Sequence, residues 1–500
     1  MAIDGVSGRT SYLGSSILNL KSQLDTLTQQ LASGKKSSTY AGLGLDSGTA
    51  TGLRAQISSI AGYSNTATVL NTRINVANLS LQGMSDSASQ VKAAAAGATL
   101  NIDSSGQTAG QKTAMASFTQ FIALLNTEVG GRYMFSGRAT DTPATESADV
   151  ILNGSGTRVG LKQVIDERAL ADGTSGLGRT VITSPTPTSV TIGEDAVGSP
   201  FGLKLSAITT TSATAAVTGP TAPSGSTPSE MSVDLGATNP ADGDKFRFTF
   251  SLPDGTSETI ELSASSATPT PAGSFAIGAD STATAANLNS ALNTAVGTLA
   301  NTALVAASAV AASNDFFSSS PPQRVDTSTN PPVALRNGTA TDTVSWYTGE
   351  SGTDPARGTA VIGIDQAITV QYGARANEQA FVAALKSVAV YAAVTTNASN
   401  PNANGQLTAL NSRIVDNLAV HPGTQSIRDI QADFAGAQGA IQTAKDRQTQ
   451  TGSIAQSMLD SIQGIDDNEV ATKILALQTA LQASYQTTAS LYQMSLVKFL

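Results

Sequence analysis

The sequence predicts a mainly α-helical, multi-domain protein. Its core is long antiparallel coiled-coil rods from both termini, with an inserted β-rich or α+β variable region. Three observations predict this class. Apolar residues recur at heptad spacing near both ends of the chain, the middle changes to Thr-, Ser-, Pro- and Gly-rich sequence with strand-like alternation, and 40% of the 500 residues are apolar. The chain is therefore long enough for several domains and apolar enough to bury their cores.

The first predicted element is an assembly helix in residues 1–34, which ends at Gly34, a residue favoured just after a helix. Helices of this length draw most of their stability from burying an apolar face, so this stripe needs a partner. The stripe follows the 4-3-4-3-4 spacing of a coiled-coil seam. Its residues are Leu13, Ile17, Leu20, Leu24, Leu27 and Leu31.

Residues 35–137 are predicted to form an N-terminal helical rod. The polar, Gly-rich passage 35–52 is expected to be loop or extended structure. Heptad spacing from Ile60 to Ala95 then predicts a helix of roughly 45 residues. After a turn at 103–110, a shorter helix is expected to end near Gly130.

Residues 138–359 are predicted to be an inserted outer region of one or two modules. Its clearest signal is a β-hairpin, because residues 245–250 and 258–262 alternate strictly around the turn residues 253–255. A helix is expected to follow, with one apolar face. That face comprises Ala285, Leu288, Leu292 and Val296.

The remaining parts of the insert give weaker signals. Segments 205–230, 263–274 and 318–342 resemble linkers, although edge strands remain an alternative. The insert is therefore expected to consist of small α+β or mainly β modules.

Residues 360–464 are predicted to form a C-terminal rod. A strand pair at 360–364 and 367–372 precedes the helices. A heptad seam then begins at Ile427 and continues through Ile430, Phe434, Ala437, Ile441 and Ala444, with Ile454, Met458 and Ile462 extending it.

Residues 465–500 are predicted to form a second assembly helix. Asp466, Asp467 and Glu469 are expected in its first turn, where the helix dipole favours negative charge. We expect this helix to pair with residues 1–34, and further copies of the chain to supply the burial that two such helices lack. The isolated ends are expected to be disordered. The predicted apolar positions are Val470, Ile474, Leu477, Leu481, Tyr485, Tyr492, Leu496, Phe499 and Leu500.

Catalytic chemistry has little support in the sequence. The one histidine, His421, precedes a proline at a predicted helix break, and the chain has no cysteine. Gly42-Leu43-Gly44 lacks the Lys-Ser/Thr of a phosphate loop. We therefore expect no enzymatic activity, no cofactor and no metal.

Composition and charge narrow the class of partners. Only 13% of residues are charged, the net charge is −9 and the pI is about 4.7, which argues against a nucleic-acid partner. The N-terminus lacks a signal-peptide pattern and no run of 18 apolar residues occurs. We expect a protein that does not insert into membranes and does not use the general secretory route.

Three motifs resemble the bacterial flagellin family. Residues 31–35 are similar to its L-x-S-G-[KR] signature. Asn126 begins a segment similar to the family's N-x-x-x-x-G-R-Y-x-F-S-G pattern, and residues 491–500 resemble the ending of the hook-filament junction protein of that family. The matching positions of the second motif are Gly131, Arg132, Tyr133, Phe135, Ser136 and Gly137.

The resemblance covers residues 1–137 and 360–500. It implies a structural subunit of the extracellular flagellum, exported unfolded by the flagellar type III route. Its implied partners are copies of itself, other flagellar axial proteins and an export chaperone. Length and the large insert favour a filament-type flagellin that supports swimming motility, while the motifs keep the hook-associated junction protein as an alternative. A secreted adhesin-like stalk protein is the alternative of another class.

Overall fold

Helices form the N-terminal part of the computed structural model, which describes residues 4–497 and the side chains of residues 11–493. Helix α1 (Asp4–Ser33) ends as expected at Gly34, whose φ of +64° suits glycine. Helix α2 (Ser47–Ala96) begins inside the predicted loop, after a short 3-10 helix at Tyr40–Asp46. Helix α3 (Ala109–Leu125) ends before the predicted Gly130.

The insert contains helices as well as strands. Helices α4 (Ala148–Asn153) and α5 (Leu161–Ala171) come first, and neither was predicted. Strands β1 to β8 follow, and they span Thr180–Thr183, Ser189–Glu194, Lys204–Thr210, Ala216–Thr218, Glu230–Asp234, Lys245–Ser251, Ser257–Ser265 and Ser274–Ala276.

These strands form two four-stranded sheets with orders β1-β2-β5-β4 and β3-β6-β7-β8. The predicted hairpin is confirmed as β6 and β7, which pair antiparallel from Lys245↔Ser263 to Ser251↔Ser257. Strand β3 begins one residue before the segment 205–230 and β4 lies within it, and each is an edge strand of its sheet, so the edge-strand alternative is confirmed there and the linker is not. The segment's Ser- and Thr-rich composition hid two strands whose faces are only partly buried.

Two helices cover this core. The predicted helix is confirmed as α6 (Ser281–Asn301), with Leu288, Leu292 and Val296 buried against the strands. Helix α7 (Ala303–Phe317) follows directly. The stretch Ser281–Phe317 is long and apolar enough to cross a membrane, but 67% of its most apolar window is buried in the fold. This is the packing of core helices.

Two short strands close the insert. They are β9 (Gln323–Val325) and β10 (Leu335–Asn337), which pair antiparallel. They lie in the segment 318–342 and form a two-stranded sheet in which both are edge strands, so the edge-strand alternative is confirmed here too.

The C-terminal part of the chain is again mainly helical. A 3-10 turn at Ala356–Thr359 leads to the predicted strand pair, β11 (Val361–Gly363) and β12 (Thr369–Gln371). The helices that follow are α8 (Gln379–Ala393), α9 (Ala403–Asn417), α10 (Ile427–Gln463) and α11 (Asp467–Val497). The described chain is therefore a mixed α+β protein with several small sheets.

The chain divides into two units. Unit 1 comprises Met1–Asn71, Ile362–Val370 and Gln438–Leu500, and unit 2 comprises Thr72–Val361 and Gln371–Ala437. Within unit 1, α2 and α10 bury a small cluster of Ala50, Leu53, Ala455 and Leu459.

The predicted seam of α10 is right in its first half and partly wrong in its second, where Ile462 does pack half-buried on the α2–α10 cluster. Ile441 and Ala444 are buried, but Ile454 and Met458 are exposed. The regular spacing instead continues through Gln448, whose buried side chain donates a 2.6 Å hydrogen bond to the Ile364 carbonyl. Because Gln448 is polar, the predicted apolar pattern skipped its seam position and continued one residue too early. Ala455 and Leu459 are buried at the positions that the prediction assigned to Ile454 and Met458.

Candidate assembly surface

Helices α1 and α11 lie against one another along their length. Their adjoining ends are joined by backbone hydrogen bonds, from the Lys36 N–H to the Gln463 carbonyl at 2.8 Å and from the Ile465 N–H to the Gly34 carbonyl at 3.3 Å. Arg54 donates to the Gln463 side chain at 2.9 Å. Because the end of α1 meets the start of α11, the two helices run antiparallel.

The first turn of α11 carries the predicted carboxylates. The Asp466 side chain accepts hydrogen bonds from the backbone N–H groups of Asn468 at 3.0 Å and Glu469 at 3.1 Å. Asp467 and Glu469 lie in the turn itself, and Glu469 pairs with Lys473 at 2.6 Å. These contacts satisfy free N–H groups at the helix start, which is a structural role.

The facing stripes are only partly covered. In α1 every predicted seam residue from Leu13 to Leu27 is half-buried and Leu31 is exposed. In α11, Val470 and Leu481 are buried, whereas Ile474 and Leu477 are half-buried. A side chain in a finished core is normally covered on all sides, so this helix pair has apolar surface left to bury.

Tyr485 and Tyr492 lie off this stripe. Their side chains are 55% and 58% exposed, and the half-buried positions that continue the seam are Ser484, Thr488 and Leu491. The prediction selected apolar residues and therefore chose tyrosines beside the seam over the small polar residues on it. The Leu496 side chain, Phe499 and Leu500 lie outside the described residues and side chains.

Further large apolar side chains face outward from the same two helices. Tyr12, Leu18 and Leu475 are 77%, 69% and 64% exposed. Together with Tyr485 and Tyr492 they are named here the outer apolar set. Charged groups are sparse on both helices, so the exposed surface is unusually neutral. The paired helices thus carry exposed apolar side chains in addition to their half-covered seam.

Unit 1 has a second uncovered region between α2 and α10. A shallow groove of about 550 Å³ is lined by Ile57, Ile60 and Ala61 on one side and by Gly452 on the other. Ile57 and Ile60 are half-buried in the single chain. The region that needs further burial therefore extends beyond the terminal helices.

The family-like motif forms a tight turn in unit 2. The Tyr133 N–H donates to the Thr140 carbonyl at 2.8 Å, and the Ser136 hydroxyl donates to the Thr142 carbonyl at 2.7 Å. Phe135 is fully buried edge-on against Phe381, with ring centroids 5.6 Å apart. The segment therefore packs onto α8.

The glycines of the motif allow its shape. Gly131 and Gly137 have φ of +75° and +66°. A Cβ on Gly137 would lie 2.4 Å from the Glu350 Oε2 atom. Arg132 is exposed. Apart from Arg132, the motif residues serve the turn itself.

Catalytic groups do not come together in the described chain. The His421 Nε2 atom lies 3.0 Å from the Asp416 carbonyl in an exposed loop after α9. Among the residues that the structure describes, no group of three His, Cys, Asp or Glu side chains could hold a metal ion.

Fold and surface define a class: a mixed α+β protein whose N- and C-terminal helices pair through incompletely buried apolar stripes. No protein-family model matches the chain, and no curated protein matches it at a significant level.

Proposed function

We propose that this protein is a structural subunit of the bacterial flagellum that polymerises through α1 and α11, and that it is a filament-type flagellin supporting motility. One observation carries the proposal: the apolar stripes of the paired terminal helices stay half-exposed in the single chain. The motifs at residues 31–35 and 126–137 support the family.

The burial of apolar side chains between copies would drive assembly. Fully burying a large apolar side chain contributes about 1.5–3 kcal/mol, so completing the burial of about ten half-covered side chains contributes roughly 8–15 kcal/mol per subunit before losses. In the assembly, neighbouring copies would supply the burial that orders α1 and α11. The buried area must therefore offset the entropic cost of ordering these helices.

The remaining elements have roles in this proposal. Helices α2 and α10 carry the heptad patterns and would pair as the coiled-coil rods predicted from the sequence. The sheets of residues 138–359 would form the outer domains. The other partners would be flagellar axial proteins and an export chaperone, and the location would be extracellular.

The decisive experiment places charge in the seam. Leu20→Asp with Leu24→Asp should abolish polymer formation by purified protein, because two carboxylates cannot be buried unpaired. The matched control is Ser22→Asp with Gln29→Asp, which adds the same charge at exposed positions of α1. Polymers from the seam variant at the wild-type critical concentration would refute the proposal.

A second candidate follows from the helical pairing of α1 and α11 in one chain. A secreted adhesin-like stalk protein would keep such ends ordered as a monomer. Hydrogen exchange on purified protein distinguishes the two. Protection of α1 and α11 that is independent of concentration and accompanied by no polymer favours the stalk, whereas protection that rises with polymerisation favours the flagellar subunit.

The choice within the family needs localisation. The motif from Gly131 to Gly137 and the residues 491–500 resemble the junction protein more closely. A labelled antibody that decorates the whole flagellum indicates a filament subunit, and a single band beyond the hook indicates the junction protein.

A further inference from the structure

Unit 2 contains a cavity of about 580 Å³ whose lining comes from four separate segments. They are residues 317–322, 345–347, 377–386 and 417–425. Small-molecule sites occupy clefts of roughly 300–1,000 Å³, lined by apolar groups with a few placed polar ones. The size of this cavity suits a ligand of one or two rings.

One wall of the cavity is rigid and aromatic. The rings of Phe317 and Trp346 lie 5.4 Å apart, and those of Trp346 and Tyr347 lie 5.7 Å apart. The Trp346 indole N–H donates to the Phe317 carbonyl at 3.1 Å, and the Tyr347 hydroxyl donates to the Glu350 carbonyl at 2.9 Å. Phe317 and Trp346 are almost fully buried and pack behind the half-buried Tyr347, whose ring is therefore held as the apolar surface that a ligand can contact.

The rim of the cavity is polar, and three of its amide side chains have no hydrogen-bond partner within the described chain. The side chains of Asn377, Gln379 and Asn417 make no hydrogen bond or ion pair with other residues in the described part of the chain. Ser319 and Ser320 add hydroxyl groups to the rim. Amides and hydroxyls both donate and accept, which is the pairing that ligand hydroxyl groups require.

Lys386 gives the cavity its charge. No carboxylate side chain lines the cavity among the residues that the structure describes, and Lys386 has no ion-pair partner there. Burial lowers the pKa of Lys386, since no acidic group offsets the desolvation of its ammonium. A half-buried cation without a counter-charge is a natural partner for a ligand anion.

The neighbouring cavity is lined by carboxylates. It shares Lys386 but is lined by Asp254, Glu258 and Asp416. Arg413 pairs with Asp254 at 2.6 Å and approaches Glu258 at 3.9 Å. A ligand anion at Lys386 is therefore favoured on the side of the larger, carboxylate-free cavity.

We propose that the larger cavity binds a small carboxylated sugar, with the carboxylate on Lys386, the hydroxyl groups on the rim amides and serines, and the apolar ring face on Tyr347. A single ammonium matches a singly charged carboxylate. A phosphate group carries more charge and is typically held by an arginine fork or several donors with positive charge. No arginine in the described part of the chain lines this cavity.

Trp346 allows a direct test, because it is the one tryptophan in the chain and lines the cavity. Wild-type protein would be titrated with N-acetylneuraminic acid and with glucuronic acid, while tryptophan fluorescence and heat are recorded. Glucose and inorganic phosphate serve as comparison ligands. We expect saturable binding of at least one acidic sugar and at least tenfold weaker binding of glucose and phosphate.

Lys386→Met keeps most of the side-chain stem and removes the charge. It should weaken binding of the acidic sugar at least tenfold, and Asn417→Ala should weaken it several-fold. Lys162→Met, on α5 outside the cavity, is the matched control and should bind as wild type. Circular dichroism melts of all three variants check folding.

Three results would overturn the proposal. They are failure of both acidic sugars to bind at millimolar concentration, equal or tighter binding of glucose or phosphate, and unchanged affinity in a folded Lys386→Met variant. None of these bears on polymerisation, so the proposed structural function is tested separately.

Discussion

Replacing Tyr485 and Tyr492 by Ser tests whether the outer apolar set forms contacts between copies. The two side chains are 55% and 58% exposed on α11 and lie off the α1–α11 seam. Their loss should therefore leave the pairing of the two helices within one chain intact. Its effect should fall on assembly alone.

The size of the effect follows from the exposed area. A tyrosine buries about 150–250 Å² when fully covered, so each of these has roughly 80–140 Å² still to lose. At about 25 cal/mol per Å², this is roughly 2–3 kcal/mol per residue. Allowing for the hydroxyl group and lost side-chain freedom, the pair contributes about 3 kcal/mol, which is roughly a hundredfold in critical concentration.

The assay is the critical concentration for polymerisation, measured by sedimentation of purified protein. Circular dichroism of the unpolymerised variant should match wild type. Leu170→Ser with Val181→Ser is the matched control, because both residues are exposed apolar positions of unit 2. A critical concentration within twofold of wild type in the tyrosine variant would refute the assignment of this surface to assembly.

Two further predictions concern ion pairs of unit 2, each measured by urea unfolding. Arg413→Ala leaves the nearly inaccessible Asp254 carboxylate unpaired and should lower the free energy of unfolding by about 3–5 kcal/mol. The double variant with Asp254→Asn should recover much of this loss. An unchanged urea midpoint in Arg413→Ala would contradict the prediction. Burial raises the pKa of Asp172 despite its 2.9 Å contact with Arg168, so the native state binds the carboxyl proton more tightly than the unfolded state does. The stability of the fold therefore falls as pH rises from the unfolded pKa of Asp172 through its raised folded pKa. Arg168→Met removes a contact that lowers this pKa, so its destabilisation should be larger at pH 8 than at pH 5, and an equal loss at both would argue against it.

Elements with one buried face were predictable from the sequence. Helix α6 and the β6–β7 hairpin each bury one side, so their apolar residues repeat at the helical or strand period. The α1 stripe was found for the same reason.

Elements buried on several sides were missed. Helix α7 is rich in alanine and serine and is buried around most of its circumference, so it has no apolar stripe to detect. Strand β2 is buried at five successive positions from Ser189 to Gly193, so both faces are covered and no alternation appears.

The candidate surfaces were predictable to different degrees. The α1 and α11 stripes followed from spacing, while Tyr485 and Tyr492 lie beside the seam because Ser484 and Thr488 hold the seam positions. The sugar-binding cavity could not be predicted at all. Its walls come from four segments spread over about a hundred residues, and only the tertiary fold brings Lys386 beside Trp346.

The motif from Gly131 to Gly137 has a structural explanation that is independent of assembly. Gly131 and Gly137 adopt positive φ, Phe135 fills a buried site against Phe381, and Ser136 closes the turn by its hydroxyl group. A chain with this turn on this helix needs glycine at the two positive-φ positions and an apolar ring in the buried site. The motif therefore supports a shared local fold, and the assembly proposal rests instead on the half-covered helices α1 and α11, whose apolar surface the turn does not require.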